Sequence, residues 1–495
     1  MLIVKNNMQG FEYDIHSLVK AFYGEETVKV VSMEKGQQDT SLASREPFLC
    51  VELFENLSKL ELTVFEGVDK QQDKELKFVW KFDAQLFEKK KEFKNEFKKF
   101  FYEVLCKITG KKLPWGNLTG IRPTKLAMGM LENQKSHEEI LAFLEKEHFV
   151  SREKAELSIE IAKREKELLS TIHYKDGYSL YVGIPFCPTT CLYCSFTSYP
   201  ICSYKNRVEE YIDCLIKEMK FVAKEYSDKV LDTVYIGGGT PTTLEAEQLD
   251  RLINGLKEHF SFEYVKEFTV EAGRADSITK EKLQVLFNHG VTRISVNPQT
   301  MKDATLKLIG RRHSVEQVKE AFALAREVGF TNINMDLILG LPEETVEDVA
   351  DTISEIKKLA PDSLTIHSLA VKRASKLNQW IEEHGISMLK NTDETMEIAV
   401  KGARELHMKP YYLYRQKNMA GNFENVGYAT EGNFGIYNIL IMEEKQTIVA
   451  LGAGSITKRV FTDGRIERCD NVKDVALYIE KIDEMIERKK VLLGD

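Results

Sequence analysis

Tyr181-Val-Gly-Ile-Pro-Phe-Cys187-Pro-Thr-Thr-Cys191-Leu-Tyr-Cys194-Ser-Phe196 opens in an apolar run and closes on three cysteines spaced C-x3-C-x2-C. Ser179–Val182 reads as a strand, which puts the cysteines in the loop leaving its C-terminal end. Similar runs recur at Thr233–Ile236, Phe268–Glu271, Arg293–Val296, Asn332–Asp336 and Ser363–Ile366. Amphipathic helical segments lie between them, at Lys205–Glu225, Leu244–His259, Lys280–His289, Val315–Val328 and Thr345–Leu359. Six strand–helix units imply parallel strands joined by right-handed crossovers, as an open sheet or an incomplete barrel. Cys187, Gly237–Thr240, Glu271, Asn297, Asp336 and His367 each fall at or just past the C-terminal end of a different strand. Chemistry gathered there over consecutive strands is the arrangement of a barrel. The expected fold is therefore α/β, an incomplete (β/α)6 TIM-like barrel over residues 176–370.

The flanks have a different texture. Residues 1–175 mix short strands, Met1–Lys5 and Val28–Met33, with a helix near Tyr13–Phe22. Phe48–Leu53 and Leu60–Phe65 alternate like a hairpin, and Phe93, Phe97, Phe100, Phe101 and Val104 share one face of a helix near Ala84–Cys106. An α+β N-terminal accessory domain is expected there. The lysines crowding Lys70–Lys112 are interleaved with Glu and Asp and read as a solvated face. Residues 371–495 carry a helix near Asp393–Glu405, the aromatic stretch Tyr411–Gln416, the apolar run Thr447–Leu451 and an amphipathic helix at Val475–Arg488. They are expected to form a smaller C-terminal domain on the substrate side.

Composition narrows the class. The 495 residues are 43% apolar and 29% charged, as in a globular chain with a large core. A net charge of −8 gives no global attraction to nucleic acid. No window of about 18 uncharged apolar residues predicts a membrane span. The N-terminus has no signal-like apolar region, so a cytoplasmic location is expected.

Four of the eight cysteines fall between 187 and 202, which points to metal chemistry in place of a disulfide framework. Three thiolates within eight residues suit an iron–sulfur cluster with one iron open to a further ligand. Zinc with Cys202 as a fourth ligand, and three packed thiols, are the alternatives. Gly237-Gly-Gly-Thr240 allows close backbone approach to a ligand, with Thr240 and Thr242 as hydroxyl donors.

C-x3-C-x2-C after the first strand of a parallel α/β domain resembles the radical S-adenosylmethionine (radical SAM) superfamily. Tyr181-x-x-Ile-Pro-Phe-Cys, Gly237-Gly-Gly-Thr-Pro-Thr242, Ser295-Val-Asn-Pro-Gln299, Ile309-Gly-Arg311-Arg-His-Ser and Asp336-Leu-Ile-Leu-Gly-Leu-Pro342 are similar to the oxygen-independent coproporphyrinogen III oxidase family. Trp115–Lys125 and Tyr411–Met419 resemble its HemZ-type subgroup. The resemblance implies a radical SAM barrel in which Cys187, Cys191 and Cys194 hold a [4Fe–4S] cluster whose fourth iron is chelated by S-adenosylmethionine. It implies contacts to that cofactor from Tyr181, Tyr193, Gly238, Gly239, Thr240, Glu271, Gln299, Arg311, Asp336 and Ala370. Arg311 would face the methionyl carboxylate, with Arg312 its neighbour in competition, and Asp336 or Glu271 would take ribose hydroxyls.

The implied activity is oxidative decarboxylation of coproporphyrinogen III propionates to vinyls, giving protoporphyrinogen IX in haem biosynthesis. The implied partners are a tetrapyrrole substrate and an electron donor of the flavodoxin or ferredoxin class. Arg122, Arg373, Arg415 and Lys417 are candidates for the propionates. Gly183 stands where the oxidases have His, and Ser195-Phe196 replaces a further cysteine, as in the haem-chaperone relatives. A haem carrier, or another radical reaction on tetrapyrroles such as methylation with ring opening, are the alternative functions.

Overall fold

The computed structural model describes residues 1–24, 26–33, 49–53, 59–66, 74–372, 374–416 and 423–494. Two compact units divide the chain, Met1–Ile159 and Glu160–Asp495. Phe48, Arg373 and Lys417, singled out from the sequence, lie outside the described residues.

In the first unit a sheet runs in the order Val28–Ser32, Leu2–Asn6, Leu49–Leu53, Lys59–Glu66, Lys74–Lys81. Leu2–Asn6 pairs in parallel with both neighbours, and the other pairs are antiparallel. The strand at Lys74–Lys81 was not expected, because its lysines were read as part of a helix face. Leu76, Phe78 and Trp80 alternate along it and pack on the core, while Lys77 and Lys81 are exposed. The helix expected over 84–106 is two helices, Ala84–Glu88 and Lys90–Thr109, broken at Lys89. Phe93, Phe97 and Phe101 of the longer one are buried, and Phe11 meets Phe93 edge-on at 5.7 Å.

The second unit is built on β1 (Gly177–Ile184), β2 (Val230–Gly238), β3 (Glu267–Gly273), β4 (Arg293–Val296), β5 (Ile333–Leu339) and β6 (Ser363–Ser368). These six pair in parallel in sequence order. They are almost continuously buried, as parallel strands covered by helices are. Those helices are α1 (Val208–Glu225), α2 (Ala246–His259), α3 (Lys280–Asn288), α4 (Val315–Val328) and α5 (Val346–Leu359). Local chemistry starts them cleanly: Ser314 with Gln317, and Thr345 with Asp348, form reciprocal capping boxes at α4 and α5.

Residues 371–495, expected as a smaller domain of their own, extend this same sheet at both edges. β7 (Lys409–Tyr414) and β8 (Asn425–Ala429) add antiparallel strands beyond β6. α6 (Ile436–Glu443) follows. β9 (Thr447–Leu451) then pairs in parallel with β1 and carries β10 (Ile456–Val460) and β11 (Ile466–Asp470) outward. Among the described residues the sheet has 11 strands, in the order β7-β8-β6-β5-β4-β3-β2-β1-β9-β10-β11, and it stays open. The terminal helix expected at Val475–Arg488 is a pair, α7 (Val475–Glu480) and α8 (Ile482–Leu493). No helix among the described residues is long and apolar enough to cross a membrane.

A buried ion pair ties these terminal helices to the barrel. Lys489 Nζ donates to Glu218 Oε1 at 2.6 Å, with both side chains fully buried. Tyr478, Asn471 and the Gly452 amide also donate to the Glu218 carboxylate, at 2.6, 2.9 and 2.9 Å. Removing one member of such a pair strands the other charge, at a cost of about 3–5 kcal/mol. Lys489→Met is expected to lower the urea midpoint accordingly. The double variant Glu218→Gln/Lys489→Met should recover part of the loss, and equal destabilisation by both would show that the charge pair is not the source.

Candidate active site at the strand C-termini

β1, β2, β3, β5 and β6 each keep one partly accessible interior residue: Tyr181, Tyr235, Glu271, Asp336 and His367. Asn297, just past β4, is a sixth. Together they outline a polar, aromatic hollow on the inner face of the sheet. α6 closes it from one side. Its Ile436 amide donates to buried Glu267, and its Tyr437 ring stacks on Tyr235 at 4.4 Å, with Tyr181 6.3 Å away.

The cysteine loop crosses the rim of this hollow. Its base is a short parallel bridge, Phe186 to Tyr199 and Cys187 to Pro200. Ile309 O accepts from the Leu192 amide at 3.0 Å, and Gly310 O accepts from Thr189 Oγ1 at 2.9 Å. Buried Arg274, just past β3, donates to Thr189 O at 3.1 Å and to Thr189 Oγ1 at 2.7 Å. Its Nη1 also lies 3.9 Å from Cys191 Sγ. The far edge of the guanidinium grips Asp276 through two bonds of 2.9 and 2.7 Å. Burial works against ionisation of Asp276, but His313 and Arg274 hold its carboxyl well below the usual range. Arg274 escaped the sequence reading, although a charged residue directly after a strand was its visible signal.

Cys187 Sγ lies 3.5 Å from Thr240 Oγ1. Burial pushes the Cys187 and Cys194 thiols up, and the neighbouring thiols of the triad add to the rise. Among the described residues no three His, Cys, Asp or Glu side chains converge in a ready-made metal site. Cys202 is exposed in the turn Ile201–Ser203, and lines a cleft of about 980 Å³ on the rim with Thr189, Thr190, Arg312 and Lys376. Three soft thiols on one loop suit a cluster with one open iron better than closed structural zinc, which takes four ligands.

The glycine turn lies against that loop. Gly238 has φ +109°, and a Cβ on Gly239 would stand 2.5 Å from Phe186 O. The Gly239 and Thr240 amides are bound to Ile184 O and Phe186 O at 2.8 and 2.7 Å. Thr242, expected as a ligand donor, spends its hydroxyl on Ala272 O at 2.6 Å and is fully buried, so its role is structural.

Arg311 turns inward and Arg312 outward. Arg311 donates to Asn297 O at 2.5 Å and to Tyr193 OH at 3.2 Å. Gln299 is held at φ +71°, its amide on Asp336 O at 2.9 Å and its carbonyl on the Ile338 amide at 3.0 Å. Three buried atoms in this corner have no hydrogen-bond partner: Arg311 Nε, Asn297 Oδ1 and Gln299 Oε1. Orphaned buried polar atoms are rare. One N–H donor and two amide carbonyls suit a ligand bearing both a carboxylate and an ammonium. Asp336 accepts from Asn334 at 2.7 Å. Ala370 is half-buried two residues past β6. Arg415 is buried, which pulls its guanidinium down to about 10. Arg122 belongs to the first unit.

Residues 181–356 match the Radical SAM superfamily. Over 405 residues the chain is 43% identical to the oxygen-independent coproporphyrinogen-III oxidase-like protein HemZ of Bacillus subtilis (strain 168), with 81% of each chain covered. The chain belongs to the HemZ-like family of radical SAM proteins. It also matches the haem chaperone HemW of Lactococcus lactis subsp. lactis (strain IL1403), 37% identical over 194 residues, covering 39% of this chain and 49% of the chaperone. The solved coproporphyrinogen III oxidase HemN of Escherichia coli superposes with a TM-score of 0.52 at 22% identity, over 65% of this chain and 72% of that one, a likeness of fold. Radical SAM proteins use a [4Fe–4S] cluster and S-adenosylmethionine, and the thiol triad and the orphaned corner fit both.

Glu271 offers a titration test. Its carboxylate accepts from Tyr235 OH at 2.5 Å and from the Gly238 amide at 3.3 Å. Burial, aided by Asp336, pushes its pKa from 4.5 up to about 7. A carboxyl that keeps its proton longer when folded contributes stability that is full below its unfolded pKa and is lost as pH rises through the folded one. In metal-free protein, the stability of the native chain relative to Glu271→Gln should therefore fall between pH 4.5 and about 7. Denaturation curves across that window check it, and a flat difference would mean that Glu271 is ionised throughout.

Proposed function

We propose that this protein catalyses the oxidative decarboxylation of coproporphyrinogen III propionates to vinyl groups. The observation that carries the radical SAM part of this reading is the orphaned corner of Arg311, Asn297 and Gln299 beside the thiol triad. Cys187, Cys191 and Cys194 would hold three irons of the cluster. Arg311 Nε would bind the methionyl carboxylate, the two amide carbonyls would take the ammonium, and Glu271 or Asp336 the ribose hydroxyls. Bound together, the cluster and S-adenosylmethionine supply the radical chemistry that breaks an unactivated C–H bond. The chain's own task is to orient the substrate and exclude water, and the Tyr181–Tyr235–Tyr437 stack supplies an apolar wall for that. A flavodoxin- or ferredoxin-class protein would donate the electron. The substrate assignment is supported by the 81% match to an oxidase-like relative.

A second reading, haem carriage without decarboxylation, is favoured by Ser195-Phe196 after the triad and by the chaperone match over 194 residues. Anaerobic incubation of the reconstituted protein with S-adenosylmethionine, reductant and coproporphyrinogen III separates the two. Protoporphyrinogen with 5′-deoxyadenosine supports the oxidase, and stoichiometric haem binding without turnover supports the carrier.

Anaerobically purified protein should contain about four irons per chain. Alanine at Cys187, Cys191 or Cys194 is expected to abolish this, whereas Cys202→Ala leaves the iron content unchanged. Dependence on Cys202 equal to that on the triad would return the site to zinc-like ligation.

Arg311→Ala should keep the cluster but raise the dissociation constant for S-adenosylmethionine roughly ten- to a hundredfold, since a charged hydrogen bond contributes about 1.5–3 kcal/mol. Equilibrium dialysis reads this directly. Unchanged affinity would move the carboxylate contact to another cation.

A further inference from the structure

The radical chemistry proposed above needs an electron from another protein, which must come close to the cysteine loop. The cleft of about 980 Å³ on the rim lies against that loop. Pro188, Thr189 and Thr190, the residues between the first two cysteines of the triad, line it. None of Tyr181, Tyr235, Glu271, Asp336 and His367, which outline the hollow, does so. Arg311 is the one residue of the orphaned corner that also borders the cleft. The cleft thus reaches the cysteine loop from a face separate from the hollow.

The loop itself fixes what surrounds the cleft. Leu192, inside the triad, donates its amide to Ile309 O and accepts from the Leu377 amide, both at 3.0 Å. These bonds hold the end of the helix Asp303–Leu308 and the start of the helix Leu377–His384 against the loop. The two helices bring Lys307 and Lys376 to the cleft, and Arg312 adds a third cation. All three are exposed, and among the described residues none of them makes an ion pair. Neighbouring cations are neutralised, Lys302 by Asp348 at 2.7 Å and Lys319 by Glu355 at 2.6 Å. Asp303, the acid that lines the cleft, holds its carboxylate on the Val315 amide at 2.8 Å. The chain carries a net charge of −8, so three unmatched cations here set the cleft apart in sign from the whole. A local field of this kind steers an oppositely charged partner to one place.

We propose that this cleft is the docking surface of the electron donor, a small acidic protein of the flavodoxin or ferredoxin class. Lys307, Arg312 and Lys376 draw its acidic face, and the uncharged strip of Pro188, Thr189, Thr190 and Pro200 faces its redox group. One electron leaves the donor's reduced flavin or iron–sulfur group, which is oxidised by one, and reduces the cluster held by the triad by one. No proton and no covalent bond changes hands. Electron tunnelling falls steeply with distance, so a donor seated on the loop that carries the ligands has a short route. A small, charge-guided contact suits a transient electron-transfer encounter. The inference rests on the proposed electron donor and deepens that reading by placing its docking surface.

The test measures cluster reduction apart from turnover. Anaerobic, cluster-loaded protein is mixed with a reduced flavodoxin and, separately, with a reduced ferredoxin, and the reduced cluster is followed by rapid-freeze electron paramagnetic resonance. At least one of the two should reduce the unaltered protein at a rate that falls as salt rises. Lys307→Glu/Lys376→Glu should slow this roughly ten- to a hundredfold at low salt, the range of electrostatic steering, and the gap should close at high salt. Arg312→Gln should slow it several-fold. Lys220→Glu/Lys224→Glu, the same charge change at exposed positions of α1 outside the cleft, should leave the rate near that of the unaltered protein. Iron content, and reduction by photoreduced 5-deazariboflavin, a small uncharged reductant, should be equal in all of them. A rate unmoved by the cleft variants overturns the docking surface. So does equal slowing by the α1 pair, since net charge is then the cause, and so does parallel slowing with the deazaflavin, since the cations then act on the cluster. If the deazaflavin reduces the cluster and neither protein does, the donor and its docking surface fall while the radical SAM reading stands. If the chain takes up no cluster, both fall together.

Discussion

Arg274 lies buried where the third strand ends, and the geometry of the rim depends on its guanidinium. One edge of the fork is spent on Asp276, which His313 also faces. The other edge reaches the backbone and hydroxyl of Thr189 and comes near the sulfur of Cys191. A loop of this kind carries backbone groups that no strand or helix satisfies, so it needs an external partner of fixed shape. A planar, permanently charged fork provides one, and a lysine would satisfy one edge only. The glycine turn packs on the start of the same loop, so close to Phe186 that Gly239 has no room for a side chain. Between these two constraints the three thiols have little freedom of place.

Much of the barrel is legible because each unit signals itself locally. The helices carry an apolar stripe and a capping residue, the strands are short apolar runs, and the residues at their ends are polar where a buried strand should not be. What escaped reading was long-range or double-edged. The strand Lys74–Lys81 has an alternating apolar face, but its lysine density masks it. Nothing local in Thr447–Leu451 says that it lies beside β1, some 270 residues earlier. Glu218 and Lys489 are each ordinary helix-surface residue types until the fold buries them together.

The candidate site divides in the same way. The cysteine spacing and the glycine turn stand out in the sequence as candidate chemistry. Adjacent Arg311 and Arg312 could not be told apart without knowing which one the turn after Ile309 points inward. Thr242 looked like a ligand donor because its hydroxyl sits in the right motif, yet its neighbours Ala272 and Ser277 occupy it. His367 alone in a sequence is an ordinary histidine. Its neighbour Tyr414, 47 residues on, is brought alongside by the sheet.

The insertion of β9 beside β1 sets an order of events during synthesis. The first six parallel strands leave the ribosome well before residues 447–451, and until those arrive β1 has an open edge of unpaired amides and carbonyls. An apolar strand with an unsatisfied edge is a template for pairing with another chain. Once its sixth strand is made, the nascent barrel therefore spends the time needed to make about 80 further residues in an aggregation-exposed state, at roughly 5–20 residues per second. Conditions that slow elongation across the last fifth of the chain lengthen that exposure, and chaperones that shield strand edges shorten it.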